Sequence, residues 1–283
     1  MLPILFSLGP IKIYTFGVFL VLAFFWGSFL LWKLIRLTAF KEEEVFDGLF
    51  FALGFSLFFS RLFYVVLNFS EFGFSFLKFI LINGYPGLSL YGALFGGFLG
   101  IFIFTLFKKL RFLILIDYFI PPLFLALAFG KLGSFFSGEE IGTKTKFFLA
   151  AKYIGYDGFR HLTSFYESLI FFLGCYLAYK TLFLIRKEKL FSGFLFYFFF
   201  FFFSFVYFLF DKIKENHLYF FGLSFNSLVA KVILLTTTVY FLYYFRKQIV
   251  INLKKYGQNI FLRIYKFTEK KIGRGFKRSS SKD

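Results

Sequence analysis

Seven charge-poor apolar stretches dominate this chain and restrict what it can fold into. A stretch of roughly 18 or more such residues is long enough to cross the hydrocarbon core of a bilayer as a helix. In that core, only helices and closed barrels satisfy their own backbone polar groups. The sequence therefore predicts an all-α, polytopic integral membrane protein with about seven transmembrane helices, near 13–32, 45–67, 88–107, 112–136, 164–185, 191–210 and 223–245.

Composition excludes several other classes of protein. Hydrophobic residues make up 59% of the 283 positions, and the mean hydropathy of +0.75 is far above that of an ordinary globular protein. The one cysteine, Cys175, lies in an apolar stretch, so we expect no disulfide framework and no cysteine-based metal cluster. With only two histidines, a zinc site is not expected either. The sequence therefore predicts neither a metal nor a cofactor.

The distribution of basic residues among the loops predicts the topology. If the N-terminus is outside, the inner loops hold nine lysine or arginine residues and the tail from Arg246 adds twelve more, whereas the outer loops hold eight. The prediction is therefore N-out/C-in. It places the segment KLGSFFSGEEIG, residues 131–142, at the extracytoplasmic end of the fourth helix.

No linker in the chain separates a second folded domain. We expect a transmembrane domain over 1–245 and a basic cytoplasmic tail over 246–283. The formal net charge is +18, but the charges lie mostly in loops and in the tail and do not share one surface. The predicted partner of the tail is therefore anionic membrane lipid and not nucleic acid. A specific cytoplasmic protein partner is the alternative.

Ionisable residues gather near the predicted outer ends of the helices. Charged groups are costly to place at membrane depth, so each one is a candidate for function. Cationic donors close to one another bind phosphate, which makes an outer-facing phospholipid site the simplest interpretation. The basic members of the set are Arg61, Lys131 and Arg160, and the acidic members are Glu139, Glu140 and Glu167.

Three further patterns leave alternatives open. In GLSLYGALFGG, residues 87–97, the glycines favour close helix packing, although Tyr91 and Ser89 are polar groups near a helix end. Asp117 and the pair Pro121-Pro122 predict a kink in the fourth helix. Arg61 forms either a packed ion pair, with Asp117 or a glutamate, or part of an anion site.

Several motifs, taken in order, resemble the prolipoprotein diacylglyceryl transferase family over nearly the whole length up to about residue 245. The most specific is DYFIPPLFLALAFGKLGSFFSGEEIG, residues 117–142, which is similar to the family signature GRxGNFxNGExxG. The other matching pieces are FSLGPIKIYTFG (6–17), SRLFYVV (60–66), GLSLYGALFGG (87–97) and RHLTSFYES (160–168).

The resemblance implies a bacterial enzyme that begins lipoprotein maturation in the plasma (inner) membrane. It would transfer a diacylglyceryl group from phosphatidylglycerol to the lipobox cysteine thiol in the signal peptide of a preprolipoprotein. Its site would face the extracytoplasmic side. Because a free thiol with a pKa near 8.5 is mostly protonated at neutral pH, a base must assist the attack. The leaving glycerol phosphate needs fixed cationic donors.

The resemblance also implies roles for individual residues. Tyr91, Lys131 and Glu139 are the predicted catalytic residues. Lys131 stands at the signature's arginine, which contacts the lipid headgroup, and Tyr91 stands where many members have a histidine in a motif like HGG. The residues predicted to bind substrate are Arg61, Lys131, Ser134, Ser137, Gly142, Arg160, His161, Tyr166 and Glu167.

The sixth helix departs from the family pattern, which has an essential arginine there and an acidic residue four positions later. Phe203 and Tyr207 stand at those positions in this chain. The next loop offers three candidate replacements, namely Lys212, Lys214 and Glu215.

This departure keeps a second hypothesis open, a non-catalytic membrane protein that binds phospholipid or lipoprotein on the same scaffold. A small transporter or channel is a third hypothesis, but the sixth and seventh helices are almost wholly apolar and offer no polar stripe.

Overall fold

The protein is described from a computed structural model, which covers residues 2–8, 11–82, 84–153, 155–215, 219–220, 222–248, 250–251 and 254. Seven helices in it are long and apolar enough to cross a membrane, which confirms the predicted all-α multi-pass architecture. They are α1 (Thr15–Ile35), α2 (Glu42–Leu67), α5 (Leu90–Phe107), α6 (Phe112–Ser137), α7 (Thr163–Arg186), α8 (Phe194–Phe210) and α9 (Phe225–Gln248).

Short elements fill the connections between these helices. Two small helices, α3 (Phe69–Phe72) and α4 (Phe76–Ile80), lie between α2 and α5. A 3-10 turn, Asp211–Ile213, extends α8. Three antiparallel hairpins are formed by β1 (Ile4–Leu8) with β2 (Ile11–Tyr14), β3 (Ala150–Lys152) with β4 (Phe159–His161), and β5 (Tyr219–Phe220) with β6 (Leu223–Ser224).

The chain divides into two compact units, Met1–Lys231 and Val232–Asp283, and α9 runs across the boundary. In the second unit the described residues are helical, and most of the tail 246–283 lies outside the described residues. The prediction that this tail binds anionic lipid therefore stays a prediction.

Helix α6 is the centre of the first unit, and α1, α7 and α8 pack around it. Its apolar residues Leu115, Ile120 and Phe124 are fully buried. The helix runs without interruption through Pro121 and Pro122. Its position at the centre explains why the charged side chains near its two ends are shielded from solvent.

Helices α2 and α5 form a second close pair. Gly92, Gly96 and Gly100 lie one turn apart on α5, and a Cβ atom on any of them would overlap the backbone of α2. Helices that approach this closely require small residues at the contact. The packing interpretation of the GLSLYGALFGG motif therefore accounts for Gly92 and Gly96.

Arg61 and Asp117 do not pair, so that alternative is wrong. The guanidinium of Arg61 donates hydrogen bonds to the backbone carbonyls of Lys78 (2.6 Å), Phe79 (2.9 Å) and Gly87 (2.9 Å). Arg61 thus ties the α3–α4 segment and the start of α5 to α2. The carboxylate of Asp117, at the other end of the bundle, accepts hydrogen bonds from backbone amides where α8 begins.

The N-terminal hairpin lies against the end of α6. The amide of Leu2 donates to the carbonyl of Phe136 (2.9 Å), and the hydroxyl of Thr15 donates to the carbonyl of Leu2. The N-terminus and the end of α6 are therefore on the same side of the bundle. We call this side, where α6 ends and α5 and α7 begin, the site end.

Candidate functional site

Four charged side chains at the site end form a closed ring in which positive and negative groups alternate. We call this set the ionic ring; its members are Lys131, Glu140, Lys214 and Glu167. The Nζ of Lys131 lies 2.5 Å from Oε1 of Glu140 and 2.9 Å from Oε2 of Glu167. The Nζ of Lys214 lies 3.3 Å from the other oxygen of Glu140 and 2.5 Å from the other oxygen of Glu167.

The ring is shielded from solvent on all but one side. The side chain of Glu167 is 0% exposed and those of Lys131 and Lys214 are 6% and 9% exposed, whereas Glu140 is 33% exposed. Two positive and two negative groups leave the ring formally neutral. Breaking up such a buried set by removing one member leaves a charge without its counter-ion, which is far more costly than losing a surface pair.

Aromatic rings form the floor of the site. The ring of Tyr207 lies beneath both ammonium groups, with its centroid 5.3 Å from Nζ of Lys131 and 4.7 Å from Nζ of Lys214. Tyr91 packs edge-on against Phe203 and Tyr207, and its buried hydroxyl has no hydrogen-bond partner among the described residues. Tyr91, a predicted catalytic residue, thus lies beside the ionic ring but forms no hydrogen bond with its members.

The backbone after α6 determines which glutamate enters the ring. Gly138 ends the helix in the left-handed region, with φ of 78°, which a glycine adopts without strain. The following residues then pair with the segment after α8: Thr143 donates to the carbonyl of Ile213 (2.9 Å), and Glu215 donates to that of Ile141 (3.0 Å). This short pairing brings Glu140 and Lys214 together.

Gly142 makes a second close contact in this segment. It lies opposite Lys214 in an isolated β-bridge, and a Cβ atom on it would overlap the backbone of His161. Arg160, which is buried, donates to the carbonyl of Gly142 (3.0 Å) and forms an ion pair with Glu215. Arg160 and Gly142 therefore hold the loop that carries Lys214.

The remaining predicted residues surround the ring at different distances. Ser134 and Ser137 are buried in the last turns of α6, and the hydroxyl of Ser137 donates to the carbonyl of Ser134 (3.2 Å). The hydroxyl of Tyr166 donates to the carbonyl of Leu149, and Nδ1 of His161 is buried without a hydrogen-bond partner among the described residues. Arg61 binds backbone carbonyls at the α2–α5 pair.

Two adjacent glutamates lie in different environments. Burial alone would raise the pKa of the Glu140 carboxyl, but the ammonium groups of Lys131 and Lys214 outweigh it and hold the pKa well below its usual range. Glu139 is exposed by comparison, and partial desolvation together with the charge of Glu140 raises its pKa. Glu140 is therefore held as an anion, whereas Glu139 is the weaker acid of the two.

Comparison with known proteins identifies the family. Residues 3–243 match the family model described as prolipoprotein diacylglyceryl transferase, and this range includes every element that builds the ionic ring. The chain belongs to this family. Two relatives named phosphatidylglycerol–prolipoprotein diacylglyceryl transferase illustrate the similarity. That of Finegoldia magna is 27% identical over 247 residues, which cover 87% of this chain and 96% of the relative. That of Clostridioides difficile is 31% identical over 189 residues, which cover 66% of this chain and 73% of the relative.

Part of the ionic ring was predicted from the sequence. Lys131 and Glu167 were predicted to bind substrate, and both belong to it. Glu140 was named only among the gathered carboxylates, because the family signature aligns with Glu139. Of the three residues considered as replacements in the loop after α8, Lys214 enters the ring and Glu215 pairs with Arg160. No local signal in the sequence separates Glu140 from Glu139, because both follow Gly138 at the end of α6.

Proposed function

We propose that this protein transfers the diacylglyceryl group of phosphatidylglycerol to the lipobox cysteine thiol of preprolipoproteins. The observation that carries the proposal is the family match over residues 3–243. The names of the relatives give the same donor and acceptor. The ionic ring supplies the cationic groups that this chemistry needs.

The reaction exchanges one bond for another at a glycerol carbon. The cysteine sulfur attacks the carbon that carries the phosphate ester, a C–S bond forms, and the C–O bond breaks. The electron pair of that C–O bond leaves on the oxygen of glycerol phosphate, and the thiol proton goes to a base. A cation next to the phosphate lowers the barrier because it stabilises charge that develops as the C–O bond breaks.

Lys131 is the residue that we assign to the phosphate of the donor. It is buried at the site end, and its ammonium is fixed by two carboxylates. Arg61 holds the neighbouring α3–α4 segment. The residues that shape the site around the headgroup are Ser134, Ser137, Gly142, Arg160, His161, Tyr166 and Glu167. Tyr91 and Glu139 are the proposed proton-handling groups, Tyr91 as a hydrogen-bond donor and Glu139 as the base for the thiol.

We place the protein in the bacterial plasma membrane with the site end toward the extracytoplasmic side. Support comes from the excess of basic residues in the other set of loops and in the tail. An exported signal peptide and the phospholipid headgroups of the outer leaflet would meet at this side. Residues 1–245 would be the catalytic domain, and the basic tail 246–283 would bind anionic lipid on the cytoplasmic side.

The test is a transfer reaction with purified protein. The full chain, in vesicles that contain phosphatidylglycerol, is incubated with a synthetic lipobox peptide, and the peptide is analysed by mass spectrometry. We expect the mass to increase by one diacylglyceryl group, and we expect Lys131→Ala and Glu139→Gln to lose the product. Asp157→Asn changes an exposed acid in the loop between α6 and α7, which also carries Glu139; this variant is the matched control and should retain the product.

A negative result separates the two functional hypotheses. If an authentic family member modifies the peptide beside this chain and this chain does not, the transferase proposal is wrong. Binding of phosphatidylglycerol without transfer would then favour the non-catalytic lipid-binding protein.

A further inference from the structure

The four members of the ionic ring differ in how firmly they are held. Lys131 lies within α6 and Glu167 lies within α7, so both side chains extend from regular helix in the bundle. Lys214 is fixed by the backbone pairing of its segment with residues 141–143. Glu140 follows the helix end at Gly138 and is the most exposed of the four. Glu140 is therefore the member that can leave with the least disturbance.

The carboxylate of Glu140 occupies a position that suits a phosphate ester. Its two oxygens are paired with different lysines, Oε1 with Lys131 and Oε2 with Lys214. The hydroxyl of Ser164 adds a third donor to Oε2, at 3.1 Å. A phosphodiester also has a single negative charge and two free oxygens, so the same three donors can receive it.

Exchange of one anion for the other keeps the site neutral. With Glu140 bound, two ammonium groups face two carboxylates. If the phosphate replaced Glu140, the net charge of the site would be unchanged. A phosphate added to the intact ionic ring would instead bring a third negative charge into a buried site. A buried charge without a counter-ion is strongly destabilising in proteins. Displacement is therefore favoured over addition.

Glu167 has a different role from Glu140. Its side chain is fully buried beneath the lysines, and each of its oxygens faces one ammonium. It holds Lys131 and Lys214 at a fixed separation in both states of the ring. Without this lower carboxylate, two ammonium groups would repel each other whenever the upper position changed its occupant.

We propose that Lys131 and Lys214 together form the phosphate site of the donor lipid, and that Glu140 occupies this site until the headgroup displaces it. The proposal deepens the proposed function, on which it rests, and makes Lys214 a binding residue from outside the family signature. Glu140 is a built-in competitor of the lipid. Its removal strengthens lipid binding, and removal of Lys214 weakens it.

The experiment measures lipid binding separately from transfer. Phosphatidylglycerol is titrated into the full chain in dodecyl maltoside micelles, and inorganic phosphate is titrated in a parallel series. We expect Glu140→Gln to lower the Kd for phosphatidylglycerol about 10-fold, because about 1.4 kcal/mol of competition is a factor of ten. Lys214→Ala should raise the Kd at least about 10-fold, and Lys214→Arg should remain near the wild type because it keeps the charge.

Two further variants of the chain control for folding and for general charge effects. The double variant Lys214→Ala/Glu140→Gln leaves Lys131 and Glu167 as a balanced pair, so it should fold and bind phosphatidylglycerol more weakly than Glu140→Gln alone. Lys146→Ala removes an exposed lysine from the loop between α6 and α7, which also carries Glu140, and should bind as the wild type does.

The outcomes are distinct. An unchanged or higher Kd in Glu140→Gln overturns the displacement, and an unchanged Kd in both Lys214→Ala and the double variant overturns the two-lysine site. Inorganic phosphate that binds as tightly as phosphatidylglycerol would assign the site to the free anion and overturn the lipid assignment. Failure of the proposed function would appear elsewhere, as an unmodified lipobox peptide, whatever the binding series shows.

Discussion

The two ends of the bundle bury carboxylates in different ways. At the end opposite the site, Asp117 accepts hydrogen bonds from the backbone amides of Gly193 (2.6 Å) and Leu195 (3.0 Å), where α8 begins. At the site end, Glu140 and Glu167 are paired with the side chains of Lys131 and Lys214. Both arrangements satisfy a shielded negative charge, but only one of them uses partners that carry a charge of their own.

This difference distinguishes a structural carboxylate from one that can take part in binding. Backbone amides at a helix start are fixed by the helix, so Asp117 stabilises the start of α8. Ammonium groups at the ends of flexible side chains can pair with a carboxylate or with a phosphate. We therefore expect changes at the site end to affect transfer and changes at Asp117 to affect stability alone.

The largest effect is expected from Lys131→Ala. Loss of the ammonium next to the phosphate should lower the transfer rate at least about 100-fold, the range seen when one donor to a developing charge is removed. Lys131→Arg keeps the charge and should retain most of the rate. The measurement is the initial rate of peptide modification per folded protein. Equal rates in wild type and Lys131→Ala would contradict the assignment.

Glu167→Gln should cause the largest loss of stability. It removes the fully buried carboxylate that faces both ammonium groups, so the free energy of unfolding should fall by roughly 3–5 kcal/mol. The measurement is equilibrium unfolding in mixed micelles with increasing sodium dodecyl sulfate. Glu140→Gln is the matched comparison, and its loss should be clearly smaller because Glu140 is partly exposed. Similar losses in both variants would remove the distinction between the two carboxylates.

Asp117→Ala should have an intermediate effect on stability and none on chemistry. Loss of the two hydrogen bonds to α8 should lower the free energy of unfolding by about 1–2 kcal/mol. The transfer rate per folded protein should equal that of the wild type. A large loss of rate in fully folded Asp117→Ala would show that the two ends of the bundle are coupled and would contradict a purely structural role for Asp117.

The smallest effect concerns pH. Because the ammonium groups depress the pKa of Glu140, its contribution to stability is complete above the ordinary glutamate value of about 4.3 and is lost only as the pH falls through the depressed pKa. The difference in Tm between wild type and Glu140→Gln should therefore stay constant from about pH 5.5 to about pH 8. A difference that changes between pH 6 and 7 would show that Glu140 titrates there.

The helices were predictable from sequence because hydropathy and length alone decide which segments can span a bilayer. The predicted ion pair between Arg61 and Asp117 was wrong because it considered the charges of the two residues but not how deep in the bilayer each one lies. Arg61 is 19 residues from the start of α2 and Asp117 is five from the start of α6, and at about 1.5 Å per residue these depths differ by roughly 20 Å.

The ionic ring was only partly predictable, for a different reason. Lys131 and Glu167 lie on helices that the sequence placed correctly, with their charges at the predicted site end. The choice of Glu140 over Glu139 depends on the left-handed turn at Gly138 and on the pairing of residues 141–143 with 213–215. That pairing joins segments about seventy residues apart in the chain and has no local signal.

The most direct test of the central claim uses cells. A bacterial strain depleted of its own diacylglyceryl transferase is supplied with this chain or with its Lys131→Ala variant, and the mass of one lipoprotein is measured. We predict that the wild-type chain restores growth and the diacylglyceryl mass, and that Lys131→Ala, present in the membrane at the same level, restores neither. An unmodified lipoprotein in cells that contain the wild-type chain, or full modification by Lys131→Ala, would contradict the account.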